Sequence, residues 1–304
     1  MTPTPLALRF QIGARTLMAI ERHLVRMPWS LDDVLADRLP SLPPLSPLAD
    51  GYLLTSLPAH HLATLTSARG GMISFVRQRY QRYYADLSGS FDAYLEKLSI
   101  NARSSLKRKA RKVARASAGV IDVHRFRTPE EMIAFHAIAR RISVRTYQER
   151  LLGAGLPEDP RFVAAMKKQA EAGGLRAWLL NIAGQPAAYL YCSVIDGTVR
   201  YDHVGYDPDY AALSPGAVLH LEAMRDLFEE GGFARFDFTE GEGQHKRQLA
   251  TASVACLDLL LLRASLPNRF ATIALGGFDI ATTFSKRALD AMGHGQMSRK
   301  LRRA

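Results

Sequence analysis

The strand–loop–helix junction at residues 209–217 holds the first residues that could do chemistry. Two strand-like runs, Pro186–Ile195 and Val199–Tyr206, lead into Asp209-Tyr-Ala-Ala-Leu-Ser-Pro-Gly-Ala217, which opens a long amphipathic helix pattern. The first turn of a helix has unpaired N–H groups and the positive end of the helix dipole, so this junction suits phosphate. We expect the Ser214 hydroxyl to cap the helix and Gly216 to let phosphate approach the backbone. The predicted phosphate-binding residues are Leu213, Ser214, Pro215, Gly216 and Ala217.

A second group of reactive side chains follows the next predicted strand, Ala234–Thr239. The sequence there is Glu240-Gly-Glu-Gly-Gln-His-Lys-Arg247, and its Glu, His, Lys and Arg side chains can move or attract protons. A phosphate-binding loop beside such a polar strand end indicates an enzyme that uses a phosphorylated carrier.

Three polar side chains stand in a row on the strand before the loop: Tyr201, Asp202 and His203. Strand alternation predicts Tyr201 and His203 on one face and Asp202 on the other. His203 is a natural general base because imidazole titrates near neutral pH, although a histidine packed under a helix explains it equally well. Burying Asp202 without a partner is costly, so a structural salt bridge to Arg200 or Arg235 is the alternative to a catalytic role.

Positive charge is concentrated in two places along the chain. The 304 residues carry a formal net charge of +11, and a second basic cluster follows residue 298. The first cluster contains no acid and consists of Arg103, Lys107, Arg108, Lys109, Arg111, Lys112 and Arg115. Such clusters attract phosphorylated cofactors, RNA or anionic lipid. The absence of compensating Asp or Glu favours a partner over a merely solvated helix face.

Composition excludes several classes of protein. Hydrophobic residues make up 47% of the chain and charged residues 23%, as in an ordinary globular protein. No uncharged apolar run reaches the roughly 18 residues of a membrane-spanning helix, and no secretory cleavage pattern is present. Cys192 and Cys256 lie in apolar strand-like runs, which indicates buried thiols in a reducing compartment. No Cys/His cluster has metal-ligand spacing, so we expect no metal.

The predicted elements divide the chain into three parts. Residues 1–119 form an N-terminal α/β half with a helix at Ala14–Arg26, a Pro-rich loop at 40–47 and a basic helix at 99–118. Residues 120–265 follow the order β-α-α-β-β-β-α-β-α-β, and the turns Ala183-Gly-Gln and Asp196-Gly-Thr predict an antiparallel meander of three strands. Residues 266–304 form a basic C-terminal tail.

Four motifs carry a family resemblance: Arg103-Ser-Ser-Leu-Lys-Arg-Lys, Gly184-Gln-Pro-Ala-Ala-Tyr, Gly205-Tyr-Asp-Pro-Asp-Tyr-Ala-Ala-Leu-Ser-Pro-Gly216 and Phe236-Asp-Phe-Thr-Glu-Gly-Glu-Gly-Gln-His-Lys246. Together with the order of elements, they resemble the GNAT superfamily of acyl-CoA N-acyltransferases, and within it the FemAB-like and CelD-like branch. The resemblance implies an α/β fold with a mixed, mostly antiparallel central sheet flanked by helices. It also implies that the N-terminal half is a reduced companion of the acyltransferase domain.

The acyl donor is inferred from the family resemblance and from one motif in which this chain differs from the family. The family usually carries Arg/Gln-x-x-Gly-x-Gly/Ala at the loop that binds the CoA pyrophosphate, whereas this chain has Leu213-Ser-Pro-Gly-Ala, with one glycine and no preceding Arg or Gln. Acetyl-CoA or a longer acyl-CoA is the implied co-substrate, without a metal. Aminoacyl-tRNA, which FemAB-type relatives use, is the alternative that the basic run would serve.

The resemblance also implies roles for individual residues. The reaction is attack of an amine on a thioester carbonyl, where the strands Thr198–Tyr206 and Phe233–Thr239 part. Glu240 is the first choice for the base, with an exposed loop carboxylate as its alternative, and Lys246 is expected to hold a cofactor phosphate or the acceptor's anion. The catalytic candidates are Glu240, His203 and Asp202. The expected substrate-binding residues are Tyr147, Gln148, Tyr201 and His245, although Tyr147 is equally typical of a core aromatic.

The predicted function is therefore transfer of an acyl group from acyl-CoA to an amine of a small molecule, sugar or lipid. One alternative is a FemAB-like aminoacyl-tRNA-dependent aminoacyltransferase. Another is a non-catalytic basic module that binds nucleic acid or a membrane surface, with Thr283–Arg303 lying on anionic lipid as an amphipathic helix. The predicted location is the cytoplasm, with the basic tail at the inner face of the membrane.

Overall fold

The computed structural model describes residues 3–12, 15–39, 41–68, 70–146, 149, 155–241 and 243–277. The described residues form two compact units, one from Met1–Gln81 with Val254–Ala304 and the other from Arg82–Ser253. These boundaries differ from the predicted divisions at 119/120 and 265/266. The basic helix packs its buried Leu106 and Val113 into the core of the second unit, so it belongs there and not to an N-terminal half.

The strands are β1 Thr4–Ile12, β2 Arg15–Pro28, β3 Gly51–Pro58, β4 Met72–Asp86, β5 Asp122–Phe126, β6 Leu175–Ile182, β7 Gln185–Ile195, β8 Thr198–Tyr206, β9 Arg235–Asp237 and β10 Ala252–Arg263. The helices are α1 Leu31–Leu35, α2 Leu62–Ala68, α3 Phe91–Lys97, α4 Ile100–Ala116, α5 Pro129–Ser143, α6 Pro160–Glu171, α7 Pro215–Glu230 and α8 Gln244–Leu249. Residues 266–277 are also helical. No helix within these described ranges is long and apolar enough to cross a membrane.

In the first unit, the strand order is β1-β2-β3-β10-β4, with β2 and β3 parallel. The helix predicted at Ala14–Arg26 is wrong, because the described part of that range, from Arg15 onward, lies in β2, which pairs antiparallel with β1. Leu24 and Val25 enter different apolar clusters on the two sides of this strand. Burial on both faces is a tertiary effect that overrides local helix preference.

In the second unit, the strand order is β4-β9-β8-β7-β6-β5, and β8/β9 is its parallel pair. The predicted meander of β6, β7 and β8 is confirmed. Both of its turns have two successive residues with positive φ, Ala183-Gly184 and Asp196-Gly197, which is the geometry of a two-residue type I′ hairpin. The predicted α/β class, with a mixed, mostly antiparallel sheet flanked by helices, is confirmed.

Alternation along the meander separates two cores on the faces of the sheet in this unit. Trp178 and Leu190 face the cluster that contains residues of α4 and α7. Leu179 and Tyr191 face the cluster that contains residues of α5 and α6. Because helices cover both faces, polar groups of the central strands reach solvent only where two strands separate. The candidate site lies at such a separation.

Candidate functional site

A pocket of about 370 Å³ opens in the second unit beside the C-terminal half of β8. Four elements contribute to it besides β8: the 3-10 turn Pro208–Leu213, the start of α7, the helix α8 and, through one residue, α4. Its lining residues are Lys109, Tyr201, Val204, Gly205, Tyr206, Ala211, Ser214, Gly216, Ala217, His220, Gln244, His245 and Gln248. Five of the predicted phosphate-binding and substrate-binding residues therefore lie around one cavity, namely Tyr201, Ser214, Gly216, Ala217 and His245.

The pocket exists because β8 and β9 part. They pair in parallel only from Thr198 to Arg200 on β8 and from Arg235 to Asp237 on β9. Beyond Arg200, β8 continues to Tyr206 along β7, whereas β9 has ended. The β9-facing edge of β8 is thereby left to the pocket, which agrees with the predicted site between two separating strands.

A β-bulge at Asp202 determines which side chains of β8 face the pocket. Tyr191 pairs with His203 and the next residue, Cys192, pairs with Tyr201, so Asp202 is the extra residue of the bulge. Its carboxylate accepts the Ser193 N–H at 2.7 Å. The prediction that Tyr201 and His203 share a face was wrong, because the extra residue reverses the alternation between them.

His203 and Asp202 consequently lie away from the pocket lining. The His203 ring packs against Phe162 and Tyr191, with ring centroids 5.9 and 5.8 Å away, and burial lowers its pKa. Asp202 holds the bulge and lies 3.5 Å from the Arg200 guanidinium, which is the salt bridge considered from the sequence. The surroundings of both side chains favour structural roles.

The helix start at Ser214 offers fewer phosphate donors than predicted. Ser214 has left-handed backbone angles, φ 55° and ψ 50°, and its hydroxyl makes no capping bond, so the predicted cap was wrong. Pro215 has no N–H, and the Ala217 N–H bonds to the Ser214 carbonyl at 3.1 Å. Of the predicted backbone donors at this helix start, the Gly216 N–H is the one without a hydrogen-bond partner among the described residues, so it is available to a phosphate. Leu213 and Pro215 pack toward the core instead of lining the pocket.

His220, one turn into α7, is the most distinctive group in the pocket. Its Nδ1 lies 2.7 Å from the Gly216 carbonyl oxygen, which can only accept a hydrogen bond, so Nδ1 carries the proton. Its Nε2 is buried and has no hydrogen-bond partner within the described part of the chain. Burial is the main cause that lowers the pKa of His220 to about 4. The ring is thus neutral at pH 7 and presents a basic lone pair at Nε2.

Tyr201 and His245 complete a cluster of rings with His220. The Tyr201 ring centroid lies 5.2 Å from that of His220 and 6.1 Å from that of His245, and the Tyr201 hydroxyl is 3.5 Å from His245 Nε2. Burial raises the pKa of Tyr201 and, with the positive charges nearby, lowers the pKa of His245 to about 3. At neutral pH the cluster therefore contains two neutral imidazoles and a protonated phenol.

Lys246 and Glu240 are joined to each other beside the pocket. The Lys246 ammonium donates to the Glu240 carbonyl oxygen at 2.6 Å and lies 5.6 Å from the centre of the Tyr201 ring. Burial lowers the pKa of Lys246 to about 8. Neither residue lines the cavity. Lys246 thus stabilises the loop after β9 through this hydrogen bond. The carboxylate of Glu240 does not line the pocket that contains His220.

The basic run forms an exposed surface on α4. None of its basic side chains forms a salt bridge with an acidic residue in the part of the chain that the structure describes. The buried residues Ala102, Leu106 and Val113 occupy the opposite face of the helix. The exposed cations are Arg103, Lys107, Arg108, Arg111, Lys112 and Arg115. Lys109 alone turns into the pocket, where its ammonium lies 3.3 Å from the Gln248 amide oxygen. Burial and the neighbouring Arg108 lower the pKa of Lys109.

Other predicted site features lie outside the described residues, namely Tyr147, Gln148 and the basic segment Thr283–Arg303. Among the pocket residues that sequence reasoning did not assign to the site, His220 and Lys109 carry titratable side chains with shifted pKa values. The signal for His220 was its spacing of four residues from Gly216, which places both on one face of α7.

Residues 100–247 match the family model described as an acetyltransferase (GNAT) domain. That range contains the meander, the bulge, α7 and every residue of the pocket lining except Gln248. No curated protein sequence is significantly similar to the chain.

Several solved structures share the fold. The C-terminal domain of a protein described as lysylphosphatidylglycerol synthetase from Agrobacterium fabrum superimposes with a TM-score of 0.51 at 14% identity, covering 75% of this chain and 71% of that one. A protein of unknown function from Bacteroides thetaiotaomicron gives 0.50 at 15% identity, covering 70% of each chain. FemX gives 0.47 at 10% identity, covering 72% of this chain and 73% of its own. For the first two structures, with TM-scores of 0.51 and 0.50, the likeness at these identities shows the fold alone.

Proposed function

We propose, from the premise that this chain belongs to the GNAT acyltransferases through its residues 100–247, that it transfers an acyl group from acyl-CoA to an amine. The proposal rests on one observation: a neutral histidine lone pair, His220 Nε2, is held without a partner beside a pocket at the parting of β8 and β9. The acceptor is an amine of a small molecule, sugar or lipid. Because acyl-CoA is a cytoplasmic metabolite, we propose the cytoplasm as the place of reaction.

In the proposed reaction, the amine nitrogen attacks the thioester carbonyl carbon. A carbon–nitrogen bond forms, and the carbon–sulfur bond breaks. The amine becomes strongly acidic once it has attacked, so its proton passes to His220 Nε2, even though burial makes this imidazole a weak base. The bond from Nδ1 to the Gly216 carbonyl holds the ring in the tautomer that can accept this proton.

The departing thiolate needs a proton, and Tyr201 is placed to give one. Its hydroxyl stays protonated because burial raises its pKa. The proton gained by His220 then restores the phenol, either directly or through His245, since the three rings are neighbours. The net change is one proton moved from nitrogen to sulfur. The free edge of β8 after Arg200 is the proposed source of N–H groups for the oxyanion.

The donor is proposed to lie along the start of α7, with its phosphates near the Gly216 N–H and the Lys109 ammonium. Since Pro215 and Ala217 offer no free N–H, Lys109 supplies charge that several backbone donors supply elsewhere in such sites. The lowered pKa of Lys109 indicates that its ammonium gains from a phosphate neighbour. Lys109→Met is therefore expected to raise the KM for acyl-CoA more than it lowers kcat.

The test is release of free thiol from a panel of acyl-CoAs in the presence of candidate amines. Turnover that depends on both donor and amine supports the proposal. Absence of thiol release with short and long acyl chains, together with no thermal stabilisation by millimolar CoA, would contradict it. Glu240, the base expected from the sequence, enters the same assay as Glu240→Gln, so the two candidate bases are compared directly.

Aminoacyl-tRNA is a second candidate donor, and the exposed cations of α4 favour it. Six of them cover a helix face that borders the pocket through Lys109, and phosphate contacts of this kind dominate affinity for nucleic acid. The charge-reversed variant Lys107→Glu/Arg111→Glu is expected to lose tRNA binding and to keep stabilisation by CoA. A matched control is Lys167→Glu/Lys168→Glu, which reverses two exposed charges on α6. Equal tRNA affinity in both variants would exclude this donor.

A further inference from the structure

Three metal-ligating side chains meet in the first unit, in a place that the proposed reaction does not use. Asp37 follows helix α1, whereas His60 and His61 form the end of a 3-10 turn after β3. Their ligand atoms all lie within 4.8 Å of one another. This cluster could not be predicted from the sequence, because its carboxylate and its histidines are more than 20 residues apart.

Both imidazoles point the same nitrogen at the same oxygen. His60 Nε2 lies 2.6 Å and His61 Nε2 lies 2.8 Å from Asp37 Oδ1. His60 is aligned for a hydrogen bond with that oxygen. His61 is not: its Nε2 is buried and makes no hydrogen bond with a described residue. A hydrogen-bonded ion pair therefore accounts for His60. His61 Nε2 lies within ion-pair distance of the same oxygen but is buried and lacks hydrogen-bond geometry, so this contact satisfies it incompletely.

The scaffold around the cluster is well held. A capping box between Ser30 and Asp33 fixes the start of α1, and the Arg38 guanidinium binds the Asp33 carboxylate at 2.9 Å. The turn that carries the histidines continues directly into α2, which is anchored by the buried Leu65. The His61 side chain is 12% exposed, whereas those of Asp37 and His60 are about 60% exposed. The His61 ring is thus held in place by the surrounding protein, whereas the side chains of Asp37 and His60 are on the solvent-exposed side of the cluster.

We propose that Asp37, His60 and His61 bind a divalent transition metal, with Zn²⁺ as the best match. Two imidazole nitrogens and one carboxylate oxygen form a three-ligand set that leaves one tetrahedral position for water. Ligand atoms of tetrahedral zinc are about 3.3 Å apart. The Asp37–His60 contact of 2.6 Å therefore needs to open by about 0.7 Å and the Asp37–His61 contact of 2.8 Å by about 0.5 Å. The exposure of Asp37 and His60 permits that movement. The metal would satisfy His61 Nε2 and tie the end of α1 to the turn after β3.

The test is titration of the tag-free full-length protein with ZnCl₂ in competition with a chromogenic zinc chelator. We expect one site per chain, and zinc-edge X-ray absorption is expected to show two imidazole ligands. Asp37→Asn, His60→Ala and His61→Ala are each expected to weaken binding by about 100-fold or more, since loss of even an outer-shell partner costs 10–100-fold. Zinc is expected to raise the melting temperature of the wild type and not of these variants.

His124→Ala is the matched control, because His124 also lies beside a carboxylate, 3.1 Å from Asp122, but has no second histidine. It is expected to keep the wild-type zinc affinity. Melting curves recorded without zinc show whether each variant is folded. No stoichiometric site in the wild type, or one that survives in the folded variants, would overturn the proposal. Since acyl transfer is not measured, failure of this proposal leaves the proposed function untouched.

Discussion

Replacing His220 tests the proposed chemistry most directly. His220→Asn keeps an N–H near the position of Nδ1, which can still donate to the Gly216 carbonyl, and removes the Nε2 lone pair. The substitution is expected to lower kcat by at least about 100-fold, the lower end of what a positioned general base contributes. The KM for acyl-CoA is expected to change little, because the Gly216 N–H and Lys109 are left in place.

A loss of catalytic activity in His220→Asn can be distinguished from a loss of stability. The variant keeps its main-chain hydrogen bond and removes a buried nitrogen without a partner, so we expect the free energy of unfolding to fall by about 1 kcal/mol. With a pKa of about 4, wild-type His220 is almost wholly neutral at pH 7. The acid limb of kcat/KM in the wild type is therefore expected well below pH 6.5, the ordinary value for histidine.

The assay is thiol release with kcat and KM determined separately, beside urea unfolding of each variant. His136→Gln is the matched control, since His136 is also a helical histidine bonded to a carbonyl, that of Pro157 at 2.8 Å, and does not line the pocket. It is expected to behave as the wild type. A folded His220→Asn that keeps more than half of kcat would refute the proposed base, and a 100-fold loss in Glu240→Gln alone would assign that role to Glu240.

Three further predictions follow from buried groups of the second unit. The contribution of His220 to the free energy of unfolding, measured as wild type minus His220→Asn, is expected to fall by about 3 kcal/mol as pH drops from about 6.5 to 4, because unfolded His220 takes up a proton that the folded protein excludes. His245, whose pKa is also lowered, is present in both proteins; urea unfolding at several pH values checks this, and an equal slope in His220→Asn would contradict it. Asp202→Ala is expected to cost about 1–2 kcal/mol, since the Ser193 N–H of the bulge loses its partner; a variant as stable as the wild type in urea would show that the bulge holds without the carboxylate. Asp237→Asn is expected to cost about 3–5 kcal/mol, because the Arg82 guanidinium loses the carboxylate that it binds at 2.6 Å, with both side chains almost fully buried; a loss below about 1 kcal/mol in thermal or urea unfolding would count against it.

Some features of the site could be predicted because their cause is local. The turns Ala183-Gly184 and Asp196-Gly197 set the meander, since few residues tolerate positive φ at two successive positions. The Pro215-Gly216 start of α7 follows from the preference of proline for the first helical turn. These signals lie within a few residues of each other, so the order of elements and the fold class were accessible from the sequence.

Other features depended on partners that are distant in the chain. The bulge at Asp202 arises from the register between β7 and β8, and alternation counted along one strand cannot reveal an extra residue. For the same reason, the sequence offered His203 as a candidate base beside Glu240 and did not indicate His220, whose Nε2 lacks a hydrogen-bond partner only because of how the pocket packs.

The sequence by itself determined the order of elements between residues 120 and 265 and the resemblance to GNAT acyltransferases, because hydrophobic periodicity, turn residues and short motifs are local properties. The tertiary structure alone decided which polar groups meet. It brought Lys109 to the pocket, left the α7 start with one free N–H, and joined Asp37 to His60 and His61. Chemistry at a site depends on distances of a few ångströms and on burial, and both arise only when separate segments pack together.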